Sequence, residues 1–156
     1  GTAEAINASG HRVKIITANQ QVKFDSWIIL PFETQHDAAE PVGFLILTPG
    51  GDKVLFATDT FYIKPRFACL THIMLECNYS RDLLDENVSR GVVPPIVRDR
   101  VLRSHFELEN VKNFLRANDL SRVREIYLIH LSNNNADAAR FLREIKETTG
   151  KPVFVV

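Results

Sequence analysis

The 156-residue sequence predicts an α/β (α+β) domain, a mixed β-sheet with helices on one face, and three observations carry that prediction. Residues 43–48 and 53–58 are short apolar runs joined by PGGD, a hairpin signal in which Gly50 and Gly51 are available for positive φ. From residue 72 onward, strand-like and helix-like patterns alternate. Hydrophobic residues make up 45% of the chain, enough for one sizeable core. The pattern reads as one domain over residues 1–156, with no internal repeat, low-complexity linker or second domain.

Taken in order, residues 2–8 read as the last turns of a helix closed near Gly10. Residues 12–17, 21–24 and 27–32 read as short strands, and Pro31 marks an edge or a strand exit because it has no N–H to give a neighbour. The hairpin follows, then a strand over 72–76. Ser80 is an N-cap for a helix over 81–88. GVVPP breaks the chain, and Pro94 or Pro95 opens a helix to about Arg103. Leu108, Val111, Phe114 and Leu115 keep helical spacing within 107–118. A strand over 125–129 leads to a helix over 136–149 that turns Ala138, Phe141, Leu142 and Ile145 inward and ends at Gly150. Residues 153–156 are the last strand.

Charge is balanced at 19 basic against 19 acidic residues, so no global field draws the chain to nucleic acid or to an acidic membrane. Any phosphate contact must come from a local patch. No run of eighteen apolar residues offers a membrane span. The opening GTAEAINASGHRVK lacks the basic-then-apolar order of a signal peptide and reads as a chain joined in mid-domain, although Gly1 equally suits a residue left by tag removal. Cys69 and Cys77 lie in apolar surroundings and read as reduced core or near-core residues, which makes the cytoplasm the expected compartment.

Three polar residues fall where apolar strands run out: His36 in PFETQHDAAEP, Asp59 in VLFATDT and His130 in EIYLIHLSNNN. A strand end holds its residue firmly and the loop beyond leaves room for a ligand. Two imidazoles and a carboxylate suit a hard or borderline divalent metal.

In order, HDAAEPVGF, KVLFATDT, IMLECN, VLRSH and IYLIHLSNNN resemble the C-terminal half of metallo-β-lactamase-fold hydrolases, nearest to the bacterial exonuclease-like and phosphodiesterase branch. The resemblance runs from GTAEAI to IYLIHLS. It implies about half of an αββα sandwich and, in the complete domain, two divalent ions, zinc or manganese. By motif position it makes His36, Asp59 and His130 the metal ligands, with Asp59 as the bridge. His105 becomes the additional histidine that helps protonate the leaving oxygen, so Asp59 and His105 are the catalytic pair. The reaction implied is hydrolysis of a phosphodiester or nucleic acid by a water that paired metals activate. That activation lowers the pKa of water from 15.7 to about 7, on the order of 12 kcal/mol.

The departures shape what to expect. The family's His-x-His-x-Asp-His cluster, which it places just upstream of a GTAEA-like segment, is absent, so the resemblance implies a missing N-terminal half. Phe61 stands where a Gly commonly follows TDT, and Ser104 where a Gly usually precedes the extra histidine. With three ligands for two metals, the isolated chain is expected to be inactive. An uncovered sheet face at 43–48 and 54–58 is expected to drive self-association. The rival readings are a degenerate, non-catalytic half-domain that binds protein or nucleic acid, and the same fold hydrolysing thioesters or other esters. Asp37 is expected to hydrogen-bond the His36 loop, and Glu76 and Asn78 either to orient ligands or, for Asn78, to cap the next helix. His11 and His72 read as ordinary polar residues. Arg90, Arg98, Arg100 and Arg103, opposed locally by Asp99 alone, suit either phosphate contacts or a solvated helix face.

Overall fold

A computed structural model describes residues 5–11 and 13–156. It contains a single mixed sheet of seven strands in sequence order: β1 (Val22–Phe24), β2 (Trp27–Glu33), β3 (Val42–Leu47), β4 (Lys53–Ala57), β5 (His72–Glu76), β6 (Glu125–Ile129) and β7 (Val153–Val155). The first four pair antiparallel through hairpins, and β4 to β7 pair parallel. Parallel neighbours need crossovers. Between β5 and β6 these are α1 (Arg81–Ser89), α2 (Pro95–Ser104) and α3 (Leu108–Ala117), and between β6 and β7 it is α4 (Ala138–Thr149). No helix among the described residues is long and apolar enough to cross a membrane.

Period-2 alternation divides the strands cleanly. Leu55, Ala57, Ile73, Leu75, Ile126 and Leu128 are buried against Val111, Phe114 and Leu115 of α3 and Phe141 and Ile145 of α4. α1 and α2 do not join this layer; with Tyr79, Leu84 and Val93 they form a small second cluster beyond the end of β5. On the other face, one cross-strand row reads Pro31, Phe44, Phe56, Met74, Tyr127 and Phe154. Phe44, Phe56, Met74 and Tyr127 are half-buried and Phe154 is exposed.

Several expectations need correction. Residues 13–17 form no strand, and Arg12 lies outside the described residues, as do residues 2–4 of the expected first helix, of which Ala5 is the last helical residue described. Pro31 is inside β2 rather than at an exit, on the stretch beyond β1 where β2 is the edge of the sheet, so of the two readings the edge holds. β1 pairs only as far as Ile29, so the missing N–H costs no ladder bond there, while Asn19 N–H donates to the Pro31 carbonyl. Only Gly51 of the PGGD turn takes positive φ. Ala138 is exposed; the alanine that packs on the core is Ala136, before α4 starts. Cys77 is buried, but Cys69 is exposed in a left-handed turn with φ of 61°. Ser80 occupies the N-cap of α1 without a side-chain cap bond, whereas Glu107 caps α3 by accepting from Asn110 N–H.

Gly43 shows how tightly the hairpin half is packed. It sits opposite Phe32, whose buried ring lies over it and tilts against Phe67 at 4.8 Å. A Cβ at Gly43 would lie 2.4 Å from Phe32 Cζ. Gly43→Ala must therefore push the ring into a filled core. The expected result is a loss of about 1–3 kcal/mol, read as a lower urea midpoint with unchanged slope.

Candidate metal centre

β2, β4, β5 and β6 run in one direction, and their carboxyl ends line one edge of the sheet. His36 follows β2 by three residues and Asp59 follows β4 by two; Glu76 is the last residue of β5, and His130 comes directly after β6. His105, the C-cap of α2, reaches the same place. Loops beyond carboxyl ends of parallel strands are where open α/β sheets bind ligands.

Asp59 is the hub. Its Oδ1 lies 3.7 Å from His130 Nδ1, 3.9 Å from His36 Nε2 and 3.9 Å from His105 Nδ1. The His105 ring is 5.4 Å from the His130 ring and 5.9 Å from the His36 ring, centroid to centroid. Single donor atoms from Asp59, Glu76, His105 and His130 all fall within 4.8 Å of one another, and His36 stands beside that set. Asp59 and His130 both adopt left-handed backbone, with φ of 51° and 58°. Non-glycine residues there store about 1 kcal/mol or more of strain, and here the turn aims both side chains back across the strand ends.

Behind this group Glu76 is fully buried. Its Oε2 accepts from Thr60 N–H at 2.9 Å, and its Oε1 lies 2.7 Å from His105 Nδ1 and 2.8 Å from His130 Nδ1. A buried carboxylate needs such donors. The hydrogen bond to Glu76 raises the His105 pKa above its ordinary value, against the opposing effect of burial. Neighbouring residues fix the frame. Thr60 Oγ1 accepts from Gln35 N–H and donates to the Tyr62 carbonyl, and Phe61 N–H donates to the Gln35 carbonyl, so the Asp59 and His36 loops are sewn together. Asn78 caps no helix; its Nδ2 donates to the His130 carbonyl at 2.7 Å, and its N–H donates to the Phe106 carbonyl beside His105. The buried Asn135 of HLSNNN accepts from Asn87 Nδ2 and holds Ser80 N–H through its carbonyl.

The donor chemistry suits a divalent cation in either of two ways. With each Nδ1–H donated to Glu76, the Nε2 atoms of His105 and His130 are unprotonated and oriented by a carboxylate, the usual support for metal-binding imidazoles. With those protons lost, the two Nδ1 atoms, Glu76 Oε1 and Asp59 Oδ1 form a four-donor set of their own. His36 differs: its Nδ1 accepts from Ala38 N–H at 3.1 Å while Asp37 Oδ1 lies 3.0 Å from the same atom. Its Nε2 faces Asp59.

The arginine segment is less basic than it reads. Arg90 pairs with Glu86, Arg98 with Asp85 and Asp99, and Arg103 Nε donates to the Asp99 carbonyl. Only Arg100 reaches the rim of the centre, where its Nε lies 3.2 Å from Asp37. His72 is engaged away from the site, by Thr71 Oγ1 and at 3.7 Å by Glu125.

By sequence, no family model and no curated protein matches the chain. Solved structures do. The metallo-β-lactamase-fold protein YhfI from Bacillus subtilis superposes with a TM-score of 0.63 at 16% identity, over 90% of this chain and 51% of YhfI. CmlA, a diiron β-hydroxylase from Streptomyces venezuelae, superposes with a TM-score of 0.58 at 13% identity, over 89% of this chain and 32% of CmlA. The chain thus spans about half the length of the first neighbour and about a third of the second. With a seven-stranded mixed sheet and the helices α1 to α4 among its described residues, the chain has the α/β architecture of metallo-β-lactamase-fold proteins.

Proposed function

We propose that this chain is part of a metal-dependent hydrolase that cleaves phosphodiesters, as a phosphodiesterase or nuclease, in the reducing cytoplasm. The observation that carries the reading is the convergence of three imidazoles on Asp59, with Glu76 buried behind them. In this reading His36, Asp59 and His130 would hold two ions, zinc or manganese, with Asp59 as the ligand common to both. Bound divalent cations supply Lewis acidity, favouring ionisation of water near neutral pH and neutralising phosphate charge. Glu76 holds the His105 ring in place. The raised His105 pKa favours the protonated imidazole that a general acid for the leaving oxygen requires.

Two ions sharing Asp59 would draw on His36 and His130 alone, since this reading keeps His105 for the leaving oxygen and Glu76 for orienting its ring. Zinc sites normally use three protein ligands even when catalytic. The chain by itself is therefore expected to hold about one ion weakly and to turn over little. The deciding test is elemental analysis after dialysis against Zn or Mn, alongside thermal melts. Retained metal with a raised melting temperature supports the reading, and no metal with no shift overturns it. Metal-dependent turnover of bis(p-nitrophenyl) phosphate by this chain would overturn the expected inactivity.

The half-exposed row Phe44, Phe56, Met74 and Tyr127 also carries an expectation. Contiguous apolar surface of this kind favours self-association, so sedimentation at high concentration should show species larger than a monomer, and Met74→Glu should shift them to monomer. A strictly monomeric wild-type chain counts against it.

A further inference from the structure

A second concavity opens beside the metal centre, and its walls are continuations of the centre's own loops. One wall is Tyr62, Lys64 and Arg66, in the segment that follows Asp59; the other is the face of α3 bearing Asn110 and Phe114, just beyond His105. The cavity measures about 200 Å³. The Thr60 hydroxyl bonds the backbone of Tyr62 on both sides, and Phe67 N–H donates to Asn118 Oδ1 at 2.8 Å, so both walls are fixed. Ile63 and Phe114 are buried beneath. Tyr62 is 51% exposed, a large aromatic left facing solvent. Three residues of chain separate it from Asp59, a span of at most about 10 Å.

The lining is chemically one-sided. It combines an aromatic face, a guanidinium, an ammonium and carboxamides, and no carboxylate lines it. Neither Lys64 nor Arg66 forms an ion pair among the described residues, whereas the arginines of α2 are all engaged by acidic residues or their carbonyls. An aromatic plane beside cations is the combination that binds single-stranded nucleic acid, by stacking bases and tracking phosphates. Amides add contacts to base edges. The volume is below the roughly 300–1,000 Å³ of sites that enclose a whole small molecule, which favours one unit of a longer ligand. A base inside a duplex cannot offer its face to Tyr62.

We propose that the Tyr62, Lys64, Arg66 and Asn110 pocket seats one nucleotide of a single-stranded nucleic acid, next to the phosphodiester held at Asp59. This rests on the phosphodiester reading above. The balanced net charge leaves such local cations as the source of phosphate affinity.

The test is fluorescence anisotropy of a short labelled oligothymidylate with the full chain, in EDTA so that no cation bridges the two. Tyr62→Ala is expected to weaken binding about five- to a hundredfold, and Tyr62→Phe, which keeps the ring, to bind like wild type. Lys64→Ala with Arg66→Ala should lower the slope of log affinity against log salt by about 1.4. Trp27→Ala, which removes an exposed aromatic at the start of β2, should change nothing. Thermal melts of each variant establish that it is folded. Absent wild-type binding, or binding indifferent to Tyr62 and to both cations, overturns the pocket. Metal content read on EDTA-free aliquots of the same preparations, after dialysis against Zn or Mn, separates the two ideas. Metal uptake without oligonucleotide binding sinks the pocket and leaves the hydrolase; Tyr62-dependent binding by a chain that takes no metal keeps the pocket and sinks the hydrolase.

Discussion

Glu76→Gln is expected to leave the chain folded and to lower its affinity for zinc or manganese by about 10- to 100-fold, while Glu76→Ala should in addition cost about 2–4 kcal/mol of stability. The difference follows from what each change strands. Glu76 satisfies three donors, Thr60 N–H, His105 and His130. The two rings are partly open to water, with side chains 21% and 44% exposed, and can rehydrate. Thr60 is fully buried and cannot. An unpaired buried N–H costs about 1–3 kcal/mol, and truncation to Ala adds a cavity in a fully enclosed site. Gln keeps the volume and an oxygen for Thr60, but its amide turns a donor toward at least one Nδ1–H. That ring then loses the acceptor that sets its orientation. Urea unfolding and isothermal titration with metal separate the two effects. Wild-type metal affinity in Glu76→Gln would show that Glu76 does not organise the imidazoles.

Much of the fold was legible because the strands announce themselves by period. Strands β5 and β6 fall on the expected residues, and α3 lies inside the expected span because Leu108, Val111, Phe114 and Leu115 mark its buried stripe. Gly150 ends α4 in left-handed backbone with φ of 66°, the role a glycine after a helical run suggests. Where local signals misled, tertiary contacts decided. Pro31 reads as either an edge or a strand exit, and β1 stopping short of it makes it an edge. The residues around Cys69 look apolar, yet the chain turns there through a left-handed residue and leaves it outside.

The candidate centre was legible in its ligand types but not in its wiring. Ordered motifs brought forward His36, Asp59, His105 and His130, and all four meet around one carboxylate oxygen. Glu76 came forward only as a strand-end group that could orient ligands, with nothing in its own spacing to say that it is fully buried. Its burial shows in its neighbours: the N–H groups of Cys77 and Asn78 and the Asn78 carboxamide are spent on segments 28 to 52 residues away. The arginine cluster left phosphate contacts and a solvated helix face both open. Asp85 and Asp37 come from other elements to engage Arg98 and Arg100, which no local window shows, while Glu86 pairs with Arg90 one turn along α1.

Asp59→Asn should change sign with conditions. Without metal, the variant is expected to be as stable as wild type or slightly more so, within about 0.5 kcal/mol. Asn tolerates the left-handed backbone at this position as well as Asp does, and its carbonyl can still accept from the Thr58 hydroxyl that now donates to Asp59 Oδ2. The carboxylate side chain is 50% exposed, so removing its charge beside Glu76 relieves a repulsion already screened by water. With metal the order reverses. A ligand at one hundred times its Kd stabilises the folded state by about 2.7 kcal/mol, and a neutral amide at the hub gives up the one group within reach of all three imidazoles. The variant should therefore gain nothing from zinc or manganese while wild type gains a melting-temperature shift of several degrees. The residue that most favours the metal-loaded fold would then be one that the empty fold holds at no net benefit, in strained backbone. That is the pattern expected of a group retained for binding. Equal metal-induced shifts in wild type and Asp59→Asn would place the cation elsewhere and reduce the cluster to a hydrogen-bonded strand edge.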